Sequence, residues 1–427
     1  MWHRLEPETE ISQRMRQRMT HQNDLADRSS LQDARQPSVN SRVLGIGVNT
    51  PTAHCQLPVA YYRLHLRPFA VSFVVILPLL LLLAACASPT PTPKPAEVAT
   101  IAPISLPTPS QDWPPILVPS DNPITPAKVE LGRQLFYDPI LSASKAMSCA
   151  TCHHPDHGLS NGQTVSIPRQ GAPPRNVPAL WNVGFNRFIQ WDGSEQLLES
   201  QAWLPLTLPN EMAIDPAEVK ARLRAIPAYV ELFDAAFGGN DVETVTFDNV
   251  TRALAAFQRT LISQNSAYDR YVAGDSAALT AQQQRGMALF FSERTHCAEC
   301  HQPPLFALEN FRVTGIPSDD LGRAAVSEKG IKGAFKVPTL RNVTLSAPYM
   351  HNAALATLDE AVQFYADGAG RANDFPLVDP LLKGFDLTAQ EKADLVAFLN
   401  ALTDESQLPP VPEVTLSGLP VVKRTRK

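Results

Sequence analysis

The chain has 427 residues, 44% of them hydrophobic, and a formal net charge of −5. That length allows roughly two to three domains with real cores, and nothing in the mildly acidic balance suggests a nucleic-acid binder or a protein held by an anionic surface. The 39 prolines point to long extended segments and loops.

Residues 1–60 are polar and carry no apolar periodicity. They precede an export signal, where such a stretch is out of place, so they read as an extension upstream of the true start or as disordered. Cys55 then has no function. N-terminal sequencing of the cell-made protein that found residues upstream of Val59 would refute this. Residues 61–86 follow the signal-peptide pattern, with Arg63, His65 and Arg67 ahead of the apolar run FAVSFVVILPLLLLLAA at 69–85. The run ends in Leu83-Ala84-Ala85-Cys86, which resembles a lipoprotein signal-peptidase box with Cys86 as the lipidated residue. An uncleaved anchor is the alternative, because a run of this length just spans a bilayer. Either way the body of the protein is expected to be exported, periplasmic or otherwise extracytoplasmic, and tethered to the membrane. Residues 87–121, including SPTPTPKP, form a Pro-rich linker that favours polyproline-II conformation.

A helical pattern begins at Thr125-Pro126, with Leu131, Leu135 and Phe136 on one face, and leads into Cys149-Ala150-Thr151-Cys152-His153. A second opens at Thr280, with Met287, Leu289 and Phe290, and leads into Cys297-Ala298-Glu299-Cys300-His301. LGRQLF (131–136) and RGMALF (285–290) are alike, so the chain reads as an internal duplication. A last helix is capped at Leu387-Thr388 and runs through Leu395, Val396, Phe398, Leu399 and Leu402. It is expected to pack on the first helix of its half. Strand signals are sparse. The expected fold is mainly α, with two cytochrome c-like domains at 122–275 and 276–404 and a disordered tail at 405–427.

C-x-x-C-H is the pattern of covalent haem attachment. The two thiols add to the haem vinyl groups, and the adjacent His becomes the proximal iron ligand. Disulfide pairing does not account for the His after each pair. A zinc ribbon is disfavoured because the pairs lie far apart, each with its own His and preceding helix. The reading is two covalently bound haem c groups, on Cys149, Cys152 and His153 and on Cys297, Cys300 and His301. The motifs do not name the sixth ligand, which decides function. A strong one gives an electron-transfer haem, and an open position gives a haem that binds peroxide or oxygen.

The chain resembles the bacterial di-haem cytochrome c peroxidase and MauG superfamily. The resemblance rests on LGRQLFYDPILS (131–142), SCATCH (148–153), RNVPALWN (175–182), QWDG (190–193), LESQAWLPLTLPNEM (198–212), CAECH (297–301), FKVPTLRNVTLSAPYMHN (335–352) and LDEAVQFY (358–365), in family order. It implies a peroxidatic N-terminal haem and a C-terminal haem that relays electrons. On this chain it makes Trp191 the aromatic bridge between haems and Glu211 the distal carboxylate that moves the proton of bound peroxide. Gln201 and Pro205 would line the same pocket. Asn176, with the main-chain oxygens of Ser346 and Pro348, falls at the family's inter-domain calcium site, an oxygen-only set that suits Ca²⁺ once waters complete it. His351 would support the second haem through a propionate, or serve as a buried structural His.

Two departures shift this reading. The peroxidase branch has a blocking His downstream of the first motif, whereas TVSIPRQG here has Pro168 and Arg169. The first haem is therefore expected to be open to peroxide in the resting state. The peroxidase branch also has Met where LDEAVQFY ends in Tyr365, as MauG does, so Tyr365 is the expected sixth ligand of the second haem, with Met350 as rival. The surface Trp through which MauG oxidises its protein substrate is Thr295 here. The resemblance thus implies reduction of hydrogen peroxide with electrons from a small donor such as a cytochrome c or cupredoxin. MauG-like oxidation of a protein or organic substrate through a high-valent di-haem state is a second possibility, and non-catalytic electron transfer a third. The family includes homodimers.

Overall fold

The two halves of the chain repeat one pattern: a capped helix, a Cys-x-x-Cys-His turn, a loop, and further helices. The first half contains α1 (Pro126–Tyr137), α2 (Cys149–Cys152), α3 (Leu198–Thr207), α4 (Pro216–Arg224), α5 (Pro227–Phe237) and α6 (Phe247–Gln258). The second contains α7 (Ala267–Val272), α8 (Ala281–Phe290), α9 (Cys297–Cys300), α10 (Leu358–Ala366) and α11 (Ala389–Asn400). Strands β1 (Leu308–Val313) and β2 (Ala334–Val337) pair antiparallel in the second half. The computed structural model describes residues 106–163, 173–373 and 377–425. The segment 61–86 with Cys86, the stretch before it with Cys55, most of the 87–121 linker, and Pro168 and Arg169 lie outside the described residues. Among those described, no helix is long and apolar enough to cross a membrane.

Sequence chemistry sets where each half begins. Thr125 caps α1 by accepting from Lys128 N, and Pro126 follows at the first helical position. Thr280 caps α8 in a reciprocal box with Gln283. Each of these helices then crosses a later one at a glycine. A methyl group on Gly132 would lie 2.0 Å from Ala253 O on α6, and one on Gly286 would lie 1.8 Å from Asp394 O on α11. The aromatic contacts beside the two crossings match: Phe136 and Phe257 at 5.1 Å and 54°, Phe290 and Phe398 at 5.2 Å and 54°. α11 thus packs on the first helix of its half, as expected. Because backbone meets backbone at both crossings, Gly132→Ala is expected to cost roughly 1–3 kcal/mol, seen as a lower midpoint in thermal denaturation. An unchanged midpoint would show that the helices separate freely.

A second repeat follows each motif. Val177-Pro178-Ala179-Leu180-Trp181-Asn182 corresponds to Val337-Pro338-Thr339-Leu340-Arg341-Asn342. Asn182 and Asn342 both adopt the left-handed region, at φ 60° and 59°. Asn182 binds both main-chain groups of Ser263, at 3.2 and 2.9 Å, and Asn342 does the same to Asp404, at 2.9 and 2.6 Å. Each amide therefore pins the chain that leaves its half's last helix. Next come bridged turns with Gln190 at φ 70° and Met350 at φ 71°, and then α3 and α10. In this register Asn176 corresponds to Lys336, Trp191 to His351, and Pro205 to Tyr365. The halves also meet reciprocally at these positions. Asn176 N–H donates to His351 O at 2.6 Å, and Lys336 N–H donates to Trp191 O at 2.8 Å.

The expected disordered tail at 405–427 is corrected by the structure for residues 405–425. Leu408, Val411, Leu416, Leu419, Val421 and Val422 pack on the core of the first half. Arg133 Nη1 donates to Pro410 O at 2.8 Å, Ser417 Oγ to Asp138 Oδ1 at 2.6 Å, and Thr425 N–H to Asp156 Oδ2 at 2.7 Å. An extended, Pro-rich segment has no periodicity of its own. Here its apolar residues and polar main chain are satisfied by helices distant in sequence.

Candidate functional site

The His of each motif is oriented by a small loop behind it. The chain closes a bridge between His154 and Ser160 after α2, and between Gln302 and Ala307 after α9. Leu159 and Phe306 turn these loops at φ 60° and 49°. His153 Nδ1–H donates to Leu159 O at 3.0 Å, and His301 Nδ1–H donates to Phe306 O and Pro338 O at 3.2 and 3.1 Å. A carbonyl only accepts, so Nδ1 carries the proton and the Nε2 lone pair is left for a metal. Burial lowers both imidazoles to about 4, which keeps them neutral at pH 7.

One cavity of about 440 Å³ is lined by Cys149, Cys152 and His153 of the first motif and by Cys297, Cys300 and His301 of the second. Trp191, Gln201, Pro205, Glu211, Asn176, Ser346, Pro348, Met350, His351 and Tyr365 line it too. The structure therefore brings together every cavity residue that the sequence reading named. On the first side, Gln190 Nε2 donates to Gln201 Oε1 on α3. Pro205 stands within that helix, and its carbonyl accepts from Met212 N at 3.0 Å. This bond folds the following loop back, so that Glu211 stands close enough to Cys152 for its charge to add to the burial that raises the thiol. Trp191 Nε1–H donates to Asn176 O at 2.7 Å, which fixes its ring.

On the second side, Tyr365 comes from α10, and burial pushes its hydroxyl up, with the Cys300 and Cys297 sulfurs adding to the shift. Met350 lies on the bridged turn, and its carbonyl accepts from Asn176 Nδ2 at 3.3 Å. His351 stacks on Phe335 with centroids 3.7 Å apart, and its buried Nε2 has no hydrogen-bond partner among the described residues. Asn176 Nδ2 donates to Pro348 O at 2.7 Å, while its buried Oδ1 has none. The amide thus presents nitrogen to the carbonyl where calcium ligation would require oxygen, and a half-turn of the amide interchanges the two.

The profile of the family described as di-haem cytochrome c peroxidase matches residues 126–277. The methylamine utilization protein MauG of Methylorubrum extorquens is 40% identical over 301 residues, covering 69% of this chain and 84% of that protein. The cytochrome-c peroxidase IdrP1 of Pseudomonas sp. (strain SCT) is 35% identical over 328 residues, covering 68% and 84%. A crystal structure of a MauG-like protein associated with microbial copper homeostasis has a TM-score of 0.65 at 37% identity, covering 70% of this chain and 96% of that one. This chain belongs to the di-haem cytochrome c peroxidase family.

Members of the family are oxidoreductases that carry two c-type haems, and the residues of this chain fit them. The four thiols are free, and both His Nε2 lone pairs are available. Trp181 Nε1, Ser148 Oγ and His351 Nε2 are buried polar atoms on the cavity wall with no hydrogen-bond partner among the described residues. Such atoms are expensive unless a ligand satisfies them.

The sequence reading missed the residues that brace this site. Arg175 Nε and Nη2 donate to Asp320 at 2.6 and 2.9 Å, and Nη1 donates to Asp192 at 2.6 Å. This buried cluster joins the turn of Trp191 to the second half. Burial works to raise both carboxyls, but the Arg175 hydrogen bonds and charge outweigh it and hold them below the usual range. Arg175→Met is expected to cost about 3–5 kcal/mol at pH 7, because two buried carboxylates lose their counter-ion. In the parent, carboxyls depressed on folding contribute stability above their unfolded pKa and lose it as pH falls. The deficit of the variant should therefore shrink towards acid. Chemical denaturation at two pH values measures this, and a deficit independent of pH would count against it. The repeat of V-P-x-L-x-N was the signal that could have aligned the halves.

Proposed function

We propose that this di-haem peroxidase reduces hydrogen peroxide to water with electrons from a small redox protein, using two unlike haem sites in two cytochrome c-like domains, 122–275 and 276–404. The observation that carries the reading is one pair of equivalent positions, Pro205 and Tyr365. Proline has no group that ligates iron, so the first side is left open to a small oxidant. Tyrosine has a phenolic oxygen, so the second side is closed by its own side chain and suited to relaying electrons. Bound at the first motif, haem supplies the iron that receives peroxide and the electrons that split its O–O bond.

The protein's own residues manage position and protons. Glu211 accepts a proton from one peroxide oxygen and returns it to the other, which departs as water, and two electrons from the donor with two protons from solvent carry the remaining oxygen to the second water. Gln201, held by Gln190, orients the bound oxidant. Trp191, fixed by Asn176, stands between the halves as a bridge. His153 and His301 would hold the haem irons through Nε2, with Nδ1 tied to carbonyls.

A calcium ion between the halves is a further part of this reading. Its support is the orphaned Asn176 Oδ1 beside the Pro348 carbonyl, with Ser346 on the same wall. Removing it with a chelator is expected to lower turnover and the thermal midpoint, with recovery on adding Ca²⁺. No response to the chelator would rule the ion out.

The test of function uses the full holoprotein with hydrogen peroxide and reduced cytochrome c. The peroxidase reading requires sustained turnover that oxidises two donor molecules per peroxide. A MauG-like role, favoured by Tyr365, would instead give a persistent oxidised state with little donor consumption. No reaction with peroxide would leave electron transfer alone. The donor, whether a cytochrome c or a cupredoxin, is expected to be met outside the cytoplasmic membrane.

A further inference from the structure

Lys336 lies on β2 and is only 9% exposed, yet among the described residues its ammonium makes one long hydrogen bond, to Val337 O at 3.4 Å. A buried ammonium is costly unless an anion or a full set of acceptors surrounds it. The acid whose charge reaches it is Glu309, which is exposed and already accepts from the Arg187 and Phe188 N–H groups at 3.0 Å each. Lys336 also lines the cavity shared by the two motifs, and its charge is felt at His301. It is fixed where the two haem-motif halves meet, its N–H donating to Trp191 O at 2.8 Å just as the equivalent Asn176 N–H donates to His351 O. The two halves thus place different groups at equivalent points: a neutral amide in the first and a cation in the second.

We propose that Lys336 is a haem-carboxylate-binding residue, its ammonium paired with a propionate of the haem carried by the second motif. This supplies an anion directly at the ammonium, whose own hydrogen bond is to the Val337 carbonyl. It also puts a fixed positive charge beside the second haem, which favours the less positive, ferrous iron and raises the potential. The inference rests on the two haems of the family and not on the peroxidase reading.

Spectroelectrochemical titration of the full holoprotein at pH 7 tests it, comparing the parent with Lys336→Met and Lys336→Arg. In Lys336→Met the ferrous-to-ferric ratio of the second haem at the parental midpoint is expected to fall about tenfold, a shift of about 59 mV for one electron. The first haem should move less, and Lys336→Arg should stay near the parent. Lys336→Met should also lower the thermal midpoint of the holoprotein, whereas removing an unpaired buried ammonium would leave it level or raise it. A second-haem potential unchanged in Lys336→Met at full haem content would overturn the proposal. If Lys336→Met fails to retain that haem, Lys336→Arg decides. Retention at the parental potential supports the pairing, and loss in both variants overturns it.

Discussion

Replacing Glu211 by Gln is expected to lower peroxide turnover by roughly 10²–10⁴-fold, the range a positioned general acid–base contributes. The amide has nearly the same shape and should leave the loop in place, because that loop is held by main-chain bonds: Glu211 N to Leu208 O and Met212 N to Pro205 O, both 3.0 Å. What is lost is a group that takes up a proton and gives it back. Haem content and the resting spectrum should therefore match the parent while turnover collapses. Equal turnover in the two proteins would move the proton transfer to another residue or to water.

The second large effect concerns Tyr365. Tyr365→Met exchanges a phenolic oxygen for a thioether, which favours ferrous iron, and should raise the second-haem midpoint by roughly a few tenths of a volt. Met350→Leu should leave that midpoint near the parent, since Met350 corresponds to Gln190, a turn residue, while Tyr365 corresponds to Pro205. The reverse pattern, a large shift for Met350→Leu and little for Tyr365→Met, would make Met350 the ligand. Redox titration of the two variants separates these outcomes.

The attachment sites were legible in the sequence because thioether formation and proximal ligation need their residues side by side. The helix starts were legible for the same reason: Thr125 with Pro126, and Thr280 with Gln283, are local chemistry. The bracing was not. Asn182 meets Ser263 at a separation of 81 residues, and Arg175 meets Asp320 at 145. Nothing near Asn182 or Arg175 names those partners. The tail misled for a related reason, since Leu408 and Val411 have no local periodicity and are ordered only by the surface that receives them. The sixth-ligand question needed both levels. Sequence resemblance brought Tyr365 and Met350 forward, and the structural repeat aligns one with Pro205 and the other with Gln190.

The proposed peroxidase chemistry requires one haem site that is open and one that is closed. Electron paramagnetic resonance of the resting ferric holoprotein tests it most directly. One high-spin signal is expected, from the haem beside Pro205, together with one low-spin signal, from the six-coordinate haem beside Tyr365. Two low-spin signals would contradict it, because no position would then be left for peroxide.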